Sequence, residues 1–420
     1  MLGPKARLDP DLPNDPEEVF ARILDWRRRG TDLVRLYRQL RLVAPVWQAP
    51  VERLGNPWII TRRSDAEEIV RNSALVKDER VLGLAGVGVG GPFIEVLSHM
   101  FAFYPPPRHT RMRALVNRGF TSRSVEKLRP RVQALVDDLL DEIEPRGSMD
   151  LVPDFAFRVP VTVICQMLGA PVEDVPRISD WSAMFARRSD EGEELNPELE
   201  RLGDEAAQGF IDYVLELVET RRREPGDDLL SRLIEVQRGE GGEDLTDLDL
   251  AATTMLLFQA GHETTANLIS KGVLALLEHP DEYADLHAHP DLIENATEEL
   301  LRFDTSVQLT TKFAAADIPF HDEIIREGDA VSFIWGAINR DPEAYPEPDR
   351  LDLRRKDVSH YSFGMGAHYC LGASLARLEV QHAIGTLARR FPNLRLASAK
   401  PEYKTQLHLH GLVSLPVEWF

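Results

Sequence analysis

The sequence predicts a mainly α-helical protein with a small β-rich region, and three features carry that expectation. Apolar residues recur at helical spacing through most of the chain from residue 16 to residue 303. Residues 245–278 are apolar over much of their length (Leu256, Leu257, Phe258, Leu268, Ile269, Val273, Leu274, Leu277), the pattern of one long helix running through a core. A glycine-rich turn, from Phe363 to Gly372, precedes a periodic run of Leu371, Leu375 and Leu378 that reads as another long helix. No linker divides the 420 residues, so residues 1–420 are read as one domain.

Taken in order, a Pro/Asp-rich arm leads into helical spacing over 16–29 and 31–43, with arginines outward. Residues 46–51 and 58–61, separated by Gly55, Asn56 and Pro57, read as a β-hairpin, and 64–72 as a short helix with Ser64 as its N-cap. Residues 81–97 contain Gly86, Gly88 and Gly91 in a literal G-x-G-x-x-G, but Pro92 follows at once and no βαβ unit surrounds it. A dinucleotide fingerprint must follow a strand and open a helix, so an apolar loop is expected here instead. The prolines at 105–107 stop the chain before a helix that places His109 and Arg113 four residues apart on one face. Amphipathic helices follow at 128–144, 154–169, 174–188, 197–223 and 227–237, with the acidic stretch 189–200 as an exposed connection. Beyond the long helix come a helix at 291–303, strands at 307–314, 324–326 and 330–333, an irregular meander, and C-terminal strands at 394–396, 405–410 and 411–417.

Composition narrows the function. A net charge of −20 argues against a nucleic-acid partner. Two cysteines, Cys165 and Cys370, make no disulfide framework and suit a reducing cytosol. Cys165 lies in an apolar run and reads as core. No apolar leader opens the chain and no run of about 18 apolar residues occurs, so no membrane anchor is expected.

Three places carry chemistry. Cys370 is set at the start of a helix, behind Gly364, Gly366 and Gly372, which let the backbone turn tightly and approach a flat partner. A thiolate, the nucleophilic and metal-binding form, needs such a helix terminus or a metal to be stabilised; a plainly buried cysteine is the ordinary alternative. In the long helix, Ala260, Gly261, His262, Glu263, Thr264 and Thr265 interrupt buried ground with small and polar residues. The zincin pattern H-E-x-x-H fails there because Ala266 stands where the second histidine should, whereas a polar kink with Thr264 bonding back one turn remains open. Glu299 and Arg302 lie three apart on a helix, a spacing that is usually a surface pair worth roughly 0.2–0.5 kcal/mol.

In order and position these motifs resemble those of the cytochrome P450 family, soluble bacterial type, over about residues 13–419. The resemblance implies haem b (iron protoporphyrin IX) buried between the long helix and the cysteine loop, with Cys370 as the axial thiolate that favours O–O cleavage. It implies Glu263 and Thr264 as the catalytic pair that delivers protons during oxygen activation. His109, Arg113 and His368 would bond the haem propionates, with Lys312 where the family often has arginine. Ala260, Gly261, Phe363, Gly364, Gly366 and Gly372 would line the cofactor, and Glu299 with Arg302 would form a buried structural pair locked to Arg350 or Arg354 of the meander. The family's usual aromatic is replaced there by Leu351. The implied activity is a monooxygenase inserting one oxygen atom from O2 into a hydrophobic organic small molecule. Oxidative coupling and a non-catalytic haem-based ligand binder are the alternatives. Electrons would come from a separate ferredoxin or flavodoxin-like donor with an NAD(P)H reductase, and a cytoplasmic monomer is expected.

Overall fold

The computed structural model describes residues 7–25, 32–78, 80, 90–189, 196–239, 245–397 and 401–420. The long helix, Asp247–Glu278, is the axis of the molecule, and most of its residues are buried. Thr246 caps it reciprocally with Asp249, so its first turn is satisfied without outside help. Two glycines let neighbours approach it closely. A Cβ on Gly261 would fall 3.0 Å from Ile164 of the helix Arg158–Leu168, and one on Gly272 would fall 3.0 Å from Ile384 of the helix Ala373–Arg390.

The helix Pro197–Arg223 lies across the same core. Its N-cap Asn196 accepts from the Glu198 and Leu199 amides, acidic residues fill its first turn and Arg221–223 its last, each matching the helix dipole. The β-rich region consists of one five-stranded sheet, ordered Val46–Gln48, Trp58–Ile60, Ala330–Ile334, Leu309–Ala314 and Leu75–Val76, with three smaller sheets beside it. Only the pairing of Trp58–Ile60 with Ala330–Ile334 is parallel in the larger sheet. Among the described residues, no helix is long and apolar enough to cross a membrane.

Local expectations were corrected in three places. Ser64 is not an N-cap: the helix Arg63–Ile69 begins one residue earlier, and its Arg63 amide is held by Asp341 Oδ2 at 2.8 Å. Residues 81–89 lie outside the described residues, but Pro92 opens a helix, Pro92–His99, rather than continuing a loop. Gly91, at φ +95°, turns the chain into it and Asp204 accepts from the Phe93 amide, so the cap is supplied from another helix and leaves no local signature. Residues 405–410 form no strand, because their backbone bonds go singly to Ser306 and Gln308 around one bridge, Val307 to Leu409. Residues 190–195 of the acidic connection also lie outside the described residues.

Candidate active site

The cysteine loop is built by its glycines. Gly364 and Gly366 adopt left-handed backbone, at φ +68° and +70°, and a Cβ on either, or on Gly372, would meet nothing within 4 Å. That open side is a cradle. The Cys370 amide donates to Phe363 O at 2.9 Å, which closes the loop and presents the sulfur ahead of the helix Ala373–Arg390. Burial pushes the Cys370 thiol up, while the Gly372 N–H and the Arg113 and Arg377 guanidiniums pull it down without prevailing. Arg377 also covers the Phe363 ring at 4.5 Å.

A second group of side chains converges on this loop. His109 is buried, and its Nε2 has no hydrogen-bond partner. Its ring stacks on His368 with centroids 4.3 Å apart, and Arg113 donates to the Tyr369 carbonyl. Burial, with Lys77, His109, Lys312 and Arg113 around it, pushes His368 down to about 3. Burial likewise lowers His109, with Arg113 and Lys77 adding to it, and lowers Lys312. Lys77, Arg113 and Lys312 supply positive charge around two imidazoles that burial and this field keep neutral, an arrangement that calls for an anion.

On the long helix, Ala260 faces open space and Glu263 is buried. The Thr264 hydroxyl donates to Ala260 O at 2.8 Å, and Ser306 Oγ donates to Thr264 O at 2.7 Å. The helix is continuous through this turn, so the anticipated distortion is limited to the hydroxyl's bond one turn back. His262, also buried, pairs its Nδ1 with Phe258 O at 2.6 Å.

Glu299 and Arg302 are fully buried and bidentate, with Nε to Oε2 at 2.7 Å and an Nη to Oε1 at 2.8 Å. The meander arginine that locks them is neither Arg350 nor Arg354. Arg355 Nε donates to both Glu299 oxygens, at 3.1 and 3.2 Å, while Arg354 pairs with Asp285 and Arg350 contributes its carbonyl. Leu351 is buried beneath the meander. Near the C-terminal hairpin, His410 stacks on Tyr403, and His408 sits within the field of Glu263.

The Cytochrome P450 family profile matches residues 96–418. The chain is a cytochrome P450. It is 37% identical to the 6-deoxyerythronolide B hydroxylase of Saccharopolyspora erythraea over 97% of this chain and 98% of that protein. It is 40% identical to the vitamin D(3) 25-hydroxylase of Pseudonocardia autotrophica over 88% and 90%. The crystal structure of P450BioI in complex with an acyl carrier protein ligated to hexadec-9Z-enoic acid superposes with a TM-score of 0.87 at 33% identity, covering 94% of this chain and 100% of that one. The protein is accordingly a haem b monooxygenase. The residues present fit that cofactor: the orphaned His109 Nε2 and the positive charge of Lys77, Arg113 and Lys312 around it suit two propionates, and the side-chain-free faces of Gly364, Gly366 and Gly372 leave room for a flat ring. Sequence reasoning missed three members of this P450's site, namely Lys77 among the cations, Arg355 on Glu299 and Lys404 on Glu263, all supplied by short or irregular segments.

Proposed function

We propose that this P450 hydroxylates a hydrophobic organic molecule, with Glu263 and Thr264 as the groups that move protons. Haem, when bound, would be held by the Cys370 thiolate and would supply the redox chemistry of oxygen activation. His109, Arg113, Lys312 and His368 would hold its propionates, each charge-assisted bond contributing about 1.5–3 kcal/mol. Thr264 Oγ1 spends its hydrogen on Ala260 O, so its lone pairs are left to accept from a water and hold it over the cofactor. Glu263 replenishes that water's proton, as general acid. The observation that carries this reading is a buried carboxylate, Glu263, next to the Thr264 hydroxyl in the middle of the long helix.

Buried Phe93, Phe258 and Leu309, with the half-buried Ile94 and Val307, would line the substrate space and favour an apolar molecule. The named relatives are hydroxylases of 6-deoxyerythronolide B and of vitamin D(3), and hexadec-9Z-enoic acid is ligated to the carrier protein of the third; a panel of these three compounds is the place to find a converted substrate. Electrons come from a separate ferredoxin or flavodoxin-like donor and its NAD(P)H reductase, and we read the chain as a single-domain cytoplasmic monomer. The decisive test compares product and hydrogen peroxide per NAD(P)H for the wild type and Thr264→Ala. Thr264→Ala should keep haem and substrate binding while losing product to peroxide, because the second proton is misdelivered. Equal coupling in the two proteins would remove Thr264 from the mechanism.

A further inference from the structure

The Glu263 carboxylate has a partner from the far end of the chain. Lys404 Nζ donates to Glu263 Oε1 at 2.9 Å, and the lysine side chain is 28% exposed where the glutamate's is 9%. Lys404 follows the strand Glu402–Tyr403, which pairs with Leu412–Ser414, and its own amide donates to Gly411 O at 2.9 Å. This hairpin is pressed against the long helix. A Cβ on Gly411 would fall 2.0 Å from Asn267 Oδ1, and Asn267 stands one turn after Glu263 on the same face. The hairpin therefore meets the helix at two successive turns, so the backbone places Lys404, not a wandering side chain.

A carboxylate buried in an apolar helix is costly unless it is paired. Lys404 offsets that cost and is the point at which the pair reaches solvent. We propose that Lys404 is a positioning residue for proton delivery. It holds the Glu263 carboxylate turned toward the hairpin, where the carboxylate takes a proton from water, and the pair then opens so that the carboxyl group can turn toward Thr264. Lys404 stays an ammonium throughout, and each proton that Glu263 passes inward is replaced from solvent. This rests on the reading of Glu263 as the acid.

The test uses the full-length haem-loaded protein in five forms: wild type, Lys404→Met, Lys404→Arg, Glu263→Gln and the double variant Glu263→Gln/Lys404→Met. The first readout is the thermal midpoint of the resting protein, without substrate or electrons. Lys404→Met should lower it by about 2 °C or more, and should lower it no further once Glu263 is Gln. The second is the solvent deuterium isotope effect on NAD(P)H oxidation driven by a surrogate ferredoxin and reductase, which needs no substrate. It should rise about twofold or more in Lys404→Met and return toward the wild-type value in Lys404→Arg. Equal midpoint losses with and without Glu263 would overturn the proposal. So would a wild-type isotope effect in Lys404→Met when Glu263→Gln changes it. A wild-type isotope effect in Glu263→Gln sinks the acid reading itself, and the positioning role of Lys404 with it. The isotope effect of Glu263→Gln separates failure of the acid reading from failure of the Lys404 role, and the midpoint coupling, measured without turnover, tests the pairing by itself.

Discussion

Arg302 shows how much one side chain can be asked to hold. Its guanidinium forks onto Glu299 and also donates to the carbonyls of Asn339 and Pro348, at 3.1 and 2.9 Å, so one cation joins a helix to two separate points of the meander. Arg302→Ala would leave Glu299 buried with Arg355 alone, and we expect a loss of about 3–5 kcal/mol, the cost of breaking a buried pair. Denaturant unfolding followed by circular dichroism, with haem retention scored on the same samples, checks it; a loss below about 1 kcal/mol would mean that Arg355 carries the pair alone. The spacing of Glu299 and Arg302 was visible in the sequence because a helix fixes which residues share a face. The identity of the third member was not. Arg350, Arg354 and Arg355 lie in an irregular stretch where no period tells which way a side chain turns, and the fold sends Arg354 to Asp285 and Arg355 to Glu299.

At the level of elements, Glu298 ties three segments around the cysteine loop. It accepts from Arg377 of the helix Ala373–Arg390 at 2.6 and 2.8 Å and pairs with His360, just ahead of Phe363, at 3.2 Å, while itself belonging to Ile293–Phe303. Burial pushes its carboxyl up, but Arg377 and His360 outweigh that and hold it at about 2. A folded-state value below the ordinary 4.5 means that this stability is fully present above about pH 4.5 and is lost as pH falls through about 2. Glu298→Gln should therefore cost about 1.5–3 kcal/mol at pH 7, and its deficit against the wild type should shrink in unfolding curves taken from pH 4.5 downward. A deficit independent of pH would assign the loss to packing. Elements with a strong period were legible in the sequence: the long helix, Pro197–Arg223 and the helix after the cysteine loop all lie where apolar spacing put them. Elements whose ends are satisfied from elsewhere were not. Pro92–His99 takes its cap from Asp204, Arg63–Ile69 from Asp341, and residues 405–410 bond to a neighbouring segment without regular register.

For the whole molecule, a net charge of −20 opposes an acidic electron donor, so docking depends on local cations within a Debye length of about 8 Å. Tyr369 is 42% exposed beside Cys370, and exposed Arg111 and Arg118 belong to the same stretch of chain as Arg113, which holds its carbonyl. Lys356 is exposed in the meander, whereas Arg108 and Arg377, also basic there, are engaged by Asp249 and Glu298. Charge reversal at Arg118 and Lys356 should slow reduction by an acidic ferredoxin and flatten its dependence on salt without lowering the melting temperature; stopped-flow reduction at two ionic strengths decides, and unchanged rates would move the docking face elsewhere. The buried histidine pair of His109 and His368 has a consequence for how the protein comes to exist in a cell. A cradle that leaves the His109 Nε2 without a partner until a dianionic ring arrives makes cofactor supply part of the folding equilibrium, since whatever binds only the native chain stabilises it in proportion to the logarithm of its free concentration. The yield of native enzyme is thereby tied to the rate of porphyrin synthesis, and a host starved of iron would lose the polypeptide to proteolysis as well as its activity.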